Sequence, residues 1–164
     1  MIVISDTTPI ISLIKINKLE LIQKLFEKVT IPQAVYYELV SNPRFASEAS
    51  IVYNSSYISI VKIDNQKKVE ELKYNSGLDT GESEAIVCSK LVKADLLLMD
   101  EQKGRTVARN LGLSITGTIG ILIQSFKEGF ISKKEIIESI KILKESGRYI
   151  SEALYLRLIH LIES

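Results

Sequence analysis

Residues 2–16 read IVISDTTPIISLIKI, and this stretch contains the change of pattern on which the fold prediction depends. Residues 2–5 form a short, mostly β-branched run without polar alternation, which is typical of a strand covered on both faces. Thr8 and Pro9 then predict a helix, with Thr8 as its N-cap and Pro9 as its first residue. Asp6 lies at the junction, so it is either part of the helix start or the first residue of a functional site.

The same alternation of strand and helix patterns continues along the chain. Further strands are predicted around residues 29–32, 57–63, 95–99 and 114–116, with helical patterns between them. The clearest helix is TGESEAIVCSKLVKA at residues 80–94, and Thr118 is expected to cap a later one. Strands that alternate with helices predict an α/β protein, in which helices cover both faces of a parallel sheet. The last residues predict two more helices, separated near Gly147.

The composition restricts the chemistry that the protein can perform. The 164 residues fit one domain, and a net charge of +1 gives no global field that would attract nucleic acid. Cys88 and His160 are the only residues of their types, which excludes disulfides, thiolate clusters, histidine zinc sites and a histidine-paired nucleophile. A metal site would need oxygen ligands, which favour Mg²⁺ or Mn²⁺. With no membrane span or signal peptide in the pattern, we expect a cytoplasmic protein.

Two acids follow two buried strands. Asp6 ends the first run, and Asp100 ends DLLLMD at residues 95–100. In an open parallel sheet, ligands bind outside the carboxyl ends of the strands, so both carboxylates are expected at one edge. Either acid alone is better explained as a helix-start or loop residue than as a ligand. Together they are harder to explain without a cation, because neighbouring carboxylates raise each other's pKa.

Two further acids are candidates for the same site. Glu82 is in the first turn of its predicted helix, where it also favours the helix dipole, and Gly81 leaves room for a close approach. Glu38 lies at the border of the apolar face of its helix, a position that is usually solvated. Asp79 and Glu84 are neighbours that can substitute. We therefore predict that Asp6, Glu38, Glu82 and Asp100 hold one or two divalent cations that act on a phosphodiester.

Five segments in order resemble the PIN-domain family, most closely the short prokaryotic proteins related to the VapC ribonuclease toxins. They span roughly residues 1–130 and read IVISDTTPIISL, VTIPQAVYYEL, GLDTGESEAI, ADLLLMDEQKGRTVARNLGL and ITGTIGIL. The resemblance implies a three-layer α/β/α sandwich with a central parallel sheet. We expect a catalytic domain at residues 1–130 and a C-terminal helical extension at 131–164 packed on the same domain.

The resemblance also implies a function. It assigns the family's acidic cluster to Asp6, Glu38, Glu82 and Asp100, as the Mg²⁺ or Mn²⁺ ligands of an endoribonuclease. Thr7 or Thr116 would supply the hydroxyl group that orients ligands or water. In the related toxins a small antitoxin protein blocks the site, so an antitoxin partner is expected by analogy.

Other residues allow more than one interpretation. Lys103, Arg105 and Arg109 either contact RNA phosphates or form a solvated basic face. His160 is expected to be partly buried. The apolar C-terminal helices either cover the sheet or form a surface for a homodimer or an antitoxin.

Two alternative functions remain at this stage. One is a non-catalytic PIN-like module that binds RNA or protein. The other is a receiver-like or phosphotransferase domain, which is disfavoured because ISDTT supplies one acid only and no phosphate loop occurs.

Overall fold

A computed structural model describes residues 1–163 of the chain. It shows a five-stranded parallel sheet between two layers of helices. The strands are β1 (Val3–Ser5), β2 (Val29–Pro32), β3 (Ile58–Val61), β4 (Leu96–Leu98) and β5 (Ile115–Thr116). The helices are α1 (Thr7–Lys15), α2 (Glu20–Phe26), α3 (Gln33–Ser41), α4 (Ala46–Asn54), α5 (Gln66–Ser76), α6 (Thr80–Leu91), α7 (Gln102–Asn110), α8 (Thr118–Lys127), α9 (Lys133–Glu145) and α10 (Glu152–Glu163). The predicted α/β/α class is confirmed.

The central strands are apolar because both of their faces are buried. Along β1, Val3 points into a core shared with α1, α2 and the helices after β5, and Ile4 points into a second core shared with α5, α6 and α7. In β4, Leu98 joins the first core and Leu97 the second. Successive side chains of a strand point to opposite faces, so an uninterrupted apolar run is what a doubly covered strand requires.

The strand order β3-β2-β1-β4-β5 places the first strand in the centre of the sheet. The chain therefore builds β1 to β3 outward in one direction and then returns to add β4 and β5 on the other side. Val3, Ile4 and Ser5 pair in register with Leu96, Leu97 and Leu98. The change of direction occurs between β1 and β4, and such a switch point opens a crevice at the carboxyl ends of the strands.

The two C-terminal helices belong to the same body as the sheet. Helix α9 packs against α8 and α1, and α10 packs against α8. Five of their side chains complete the larger core, namely Ile136, Ile140, Leu143, Leu158 and Ile162. Across residues 1–163, none of the helices combines the length and the apolar character that a membrane crossing requires.

Three local predictions differ from the structure. Helix α1 begins at Thr7 with Asp6 in the N-cap position, so the predicted start at Thr8 and Pro9 is two residues late. Helix α8 has Gly117 as its N-cap, and Thr118 is its first residue. His160 is exposed on α10.

Candidate active site

Asp6 and Asp100 lie at the switch point of the sheet. The backbone N–H of Asp6 donates to the carbonyl oxygen of Leu98 at 3.0 Å, so β1 ends beside the last residue of β4. Met99 still bonds to Thr116 on β5 at 2.9 Å, and Asp100 follows directly after it. Both carboxylates are thus delivered to the crevice at the carboxyl ends of two neighbouring strands.

Asp6 is a buried carboxyl group surrounded by other acids. It is 4% exposed, and burial raises the pKa of its carboxyl group to about 8. The charges of Glu82, Asp79 and Glu38 contribute to this increase in pKa, whereas a backbone hydrogen bond from Thr7 opposes it. Within residues 1–163, no lysine, arginine or histidine forms a salt bridge with Asp6, Glu38 or Glu82. The negative charge in this part of the site has no protein cation to offset it.

Glu38 is held toward the site by the start of α1. The hydroxyl group of Thr7 donates to Glu38 Oε2 at 2.8 Å. Gly81 provides the space for this carboxylate, since a β-carbon at Gly81 would lie only 3.2 Å from Glu38 Oε2. Helices α1, α3 and α6 therefore meet around one carboxylate.

Glu82 has the structural role that its position in the first turn suggests. Its Oε1 accepts from the backbone N–H of Asp79 at 3.1 Å, and Asp79 Oδ1 accepts from the N–H of Glu82 at 2.7 Å. This reciprocal capping box starts α6. Burial and the neighbouring charge of Asp79 raise the pKa of Glu82 to about 7. Its second oxygen, Oε2, faces Gly104 on α7.

Glu84 does not substitute for these acids, because it holds three elements together. This buried side chain accepts from the backbone N–H of Ala34 at 3.1 Å and from Gln66 Nε2 at 3.2 Å. It thus joins α6 to the first turn of α3 and to α5. Asp79 remains exposed and bound into the capping box.

Asp100 is held by contacts that the sequence did not indicate. Its two oxygens accept from the backbone N–H and the hydroxyl group of Thr118, each at 2.7 Å. Arg148, in the connection between α9 and α10, forms a salt bridge with Asp100 Oδ2 at 2.5 Å. Gly117 is required beside them, because a β-carbon there would lie 2.5 Å from Asp100 Oδ1.

Thr118, which was not among the predicted hydroxyl residues, is the threonine that donates to Asp100. Thr116 packs instead against Gly120. Thr118 follows the end of β5 by two residues. This position just beyond a strand end is the sequence feature that could have identified it as a site residue. Nothing in the sequence indicates Arg148, which lies in a distant turn and reaches Asp100 only through the folding of the tail.

The three residues predicted to contact phosphates have different surroundings in the structure. Arg105 is half-buried beside Asp100 and donates to the carbonyl oxygen of Met99 at 2.9 Å. Burial and the charge of Arg109 lower the pKa of Arg105, and the charge of Asp100 opposes that effect. Lys103 Nζ donates to the carbonyl oxygen of Gly77 at 3.3 Å, and Arg109 is exposed. Arg105 is the one of the three that lies against a candidate ligand.

The four candidate ligands do not converge on a single point. Among residues 1–163, no group of three or more histidine, cysteine, aspartate or glutamate side chains has the spacing of a formed metal site. Three of the acids make other contacts, with Thr7, Asp79 or Thr118. The donor set nevertheless fits a hard divalent cation, because it consists of carboxylates and Asp6 is buried without a cationic partner.

A parallel sheet with acids at its switch point and no histidine among them is an arrangement compatible with α/β nucleases that work through acidic residues. The chain belongs to the PIN-domain family, since a family model (DUF3368) described as a PIN domain matches residues 2–164. PIN domains are generally nucleases that act on RNA and typically use divalent metal ions. The match includes the C-terminal helices, and the predicted division at residue 130 stays a prediction. A search of curated proteins gives no match.

Proposed function

We propose that the protein is a Mg²⁺- or Mn²⁺-dependent endoribonuclease whose metal ligands are Asp6, Glu38, Glu82 and Asp100. The observation that carries the proposal is Asp6, a buried carboxyl group at the switch point of the sheet with other acids around it. Burying such a group is unfavourable unless it is protonated or paired with a cation. A divalent cation satisfies that requirement with the oxygen donors present.

Each side chain has a role that follows from its contacts. A bound cation would polarise the phosphodiester and lower the pKa of the attacking water. Thr7 keeps Glu38 turned toward Asp6, and Thr118 holds both oxygens of Asp100 in a fixed orientation. Arg105 presents a half-buried positive charge next to Asp100, where it can stabilise the charge of the reacting phosphate. Lys103 and Arg109 are further from these contacts, and their proposed role is to bind phosphates of the flanking RNA.

The decisive experiment is cleavage of a mixed RNA pool by the purified protein with Mn²⁺, with Mg²⁺ and with EDTA. Asp6→Asn and Asp100→Asn are compared with Asp64→Asn, a matched control at an exposed acid outside the site. We expect metal-dependent cleavage by the wild type and the control, and a loss of at least about a hundredfold in both site variants. Cleavage that survives both substitutions would refute the ligand assignment.

A toxin role extends the proposal and rests on the resemblance to the VapC branch. In that case a small antitoxin protein blocks the crevice, and a homodimer is the expected assembly. The same variants test it in cells, where induction of the wild type should arrest growth and Asp6→Asn should relieve the arrest. If cells that produce an active nuclease grow normally, the protein is an enzyme but not a toxin.

A non-catalytic RNA- or protein-binding module is the second candidate, and two contacts favour it. Arg148 already neutralises Asp100, and the capping box engages Glu82. In a binding module, Asp100 and Glu82 would have no role beyond these contacts. A folded protein that fails to bind Mn²⁺ in calorimetry and cleaves no RNA would favour this second candidate over the nuclease.

A further inference from the structure

One of the four proposed metal ligands is paired with a cation of the protein itself. Arg148 Nη2 lies 2.5 Å from Asp100 Oδ2, and the two side chains are only 26% and 12% exposed. Among residues 1–163, this is the only salt bridge that involves Asp6, Glu38, Glu82 or Asp100. An ion pair that is largely withdrawn from water is screened much less than a surface pair, so Arg148 is a strong partner for Asp100.

The end of α9 fixes the point from which Arg148 reaches Asp100. The backbone N–H of Arg148 donates to the carbonyl oxygen of Leu143 at 3.0 Å, and that of Gly147 donates to the carbonyl oxygen of Lys144 at 3.1 Å. These two bonds form a Schellman motif, which requires a left-handed residue at Gly147, where φ is 94°. Leu143 is itself buried in the larger core. The backbone of Arg148 is therefore attached to a fixed part of the fold.

Arg148 and a divalent cation compete for Asp100. Three donors occupy the oxygens of this carboxylate: the N–H of Thr118 on Oδ1, and the hydroxyl group of Thr118 together with Arg148 on Oδ2. A carboxylate offers only about four acceptor positions. A guanidinium group and a metal ion on the same carboxylate would also repel each other at short range. Arg148 is therefore expected to oppose the binding of a metal ion to Asp100.

A cleft of about 950 Å³ beside Asp100 offers Arg148 a different partner. One wall of the cleft is formed by the residues that follow β4 and β5 and the starts of α7 and α8, and the other by the α9–α10 connection and α10. Arg148 and Arg157 both line it, and no salt bridge within residues 1–163 involves Arg157. A guanidinium group binds a phosphate in the same forked geometry as a carboxylate, so Arg148 can exchange Asp100 for a phosphate in the cleft.

We infer that Arg148 couples metal binding to phosphate binding at the candidate active site. Without a phosphate, Arg148 stays on Asp100 and keeps the affinity of this carboxylate for a divalent cation low. A phosphate in the cleft draws Arg148 away, and Asp100 becomes available as a ligand. The coupling is reciprocal, because two ligands that favour the same displaced position of Arg148 raise each other's affinity by the same factor. The inference rests on the proposed function in taking Asp100 as a metal ligand, and it adds a control over when the site takes up its metal.

The first test is calorimetry of Mn²⁺ alone with the full chain, which requires no catalysis. Arg148→Gln removes the competing charge, and we expect it to bind Mn²⁺ about 5- to 150-fold more tightly than the wild type, the usual range of coupling between two sites. Arg148→Lys keeps a positive charge at the same backbone position and should bind Mn²⁺ more weakly than Arg148→Gln. Arg157→Gln is the matched control, because it removes the same charge from the same cleft and leaves the partner of Asp100 in place.

The second test repeats the titrations in an excess of uridine 5′-monophosphate, a small probe that presents one phosphate. The wild type should bind Mn²⁺ more tightly with the nucleotide than without it, whereas Arg148→Gln should show little further gain. Any complex that Mn²⁺ forms with the nucleotide in solution is common to all variants, so it cancels in this comparison. An equal gain in the wild type and Arg148→Gln would overturn the coupling to phosphate.

The outcomes separate this inference from the proposed function. If Asp100→Asn weakens Mn²⁺ binding while Arg148→Gln binds like the wild type, the coupling is overturned and Asp100 remains a ligand. An equal gain in Arg148→Gln and Arg157→Gln would show a general effect of charge and would also overturn the inference. Mn²⁺ binding that Asp100→Asn leaves unchanged would instead refute Asp100 as a ligand, and the inference with it.

Discussion

At the scale of single residues, Asp6 shows how position changes the chemistry of an ordinary side chain. An aspartate at a helix start is usually exposed and ionised, with a pKa near 4. Here it lies beneath the junction of β1 and α1, with Glu38 and Glu82 close enough for their charges to act on it. Desolvation is the largest cause of its raised pKa, and the neighbouring carboxylates add to it. A residue of this kind favours either a proton or a metal ion.

This gives a prediction for the pH dependence of stability without added metal. The folded protein keeps the Asp6 proton up to a pKa of about 8, whereas the unfolded chain releases it near 3.8. Between these values the unfolded state binds fewer protons, so the free energy of unfolding falls as the pH rises. One such group contributes at most about 1.4 kcal/mol per pH unit. Urea denaturation in EDTA at several pH values from 5 to 8 measures this dependence.

Asp6→Asn provides the comparison that isolates the effect. The variant should be more stable than the wild type at pH 8 in EDTA. It should lose the contribution of Asp6 to the pH dependence and keep that of Glu82, which ends near its pKa of about 7. Asp64→Asn, the exposed control, should follow the wild type. Parallel curves for the wild type and Asp6→Asn would show that Asp6 is ionised in the folded protein without a metal.

At the scale of elements, the start of α6 combines a structural and a chemical use of one side chain. Glu82 closes the capping box with Asp79 and directs its other oxygen toward α7. Helix α9 begins with a second capping box, formed by Ser132 and Glu135, which lies outside the site. The chain therefore contains an internal control that separates a carboxylate that only caps a helix from one that is also proposed as a metal ligand.

We predict that Glu82→Gln lowers RNA cleavage at least tenfold while changing the melting temperature little, because an amide oxygen still accepts from the Asp79 N–H. Glu135→Gln keeps its own cap in the same way, loses the salt bridge to Lys18, and should cleave like the wild type. Alanine at either position should cost about 0.5–2 kcal/mol of stability. Thermal melting and initial cleavage rates measure the two effects separately. Wild-type cleavage by Glu82→Gln would leave Glu82 with the capping role alone.

At the scale of the whole molecule, the C-terminal helices are part of the core and part of one wall of the cleft. Five of their apolar side chains are buried, and full burial contributes about 1.5–3 kcal/mol for each of them. Together this is about 7–15 kcal/mol, comparable with the entire stability of a typical domain, about 5–15 kcal/mol. The helices are therefore not expected to be dispensable.

We predict that a fragment of residues 1–130 does not fold cooperatively. Circular dichroism melting and urea denaturation of the fragment and the full chain measure this. A control fragment that ends at residue 150 loses the buried Leu158 and Ile162 and the partly buried Tyr155 and Ile159 from the core. It should retain a transition at lower temperature. A sharp transition for residues 1–130 would instead support a separate catalytic domain with an appended extension.

The sequence by itself determined the elements, the fold class and the acids at the strand ends. These depend on local patterns: apolar runs for doubly covered strands, helical periodicity between them, and acids directly after β1 and β4. The first-turn position of Glu82 predicted a structural role through the helix dipole, and the capping box with Asp79 was found only in the structure. Such features can be read from the residues because the interactions behind them act over a few positions of the chain.

Only the tertiary structure decided which of these residues meet. The strand order brings β1 beside β4, so that Asp6 and Asp100 share the switch point. It also places Thr118 rather than Thr116 on Asp100, brings Arg148 from the tail to the same carboxylate, and commits Glu84 to a structural contact. The physical reason is that these contacts join side chains far apart in the chain. Their geometry follows from packing the two cores against the sheet, which no local pattern encodes.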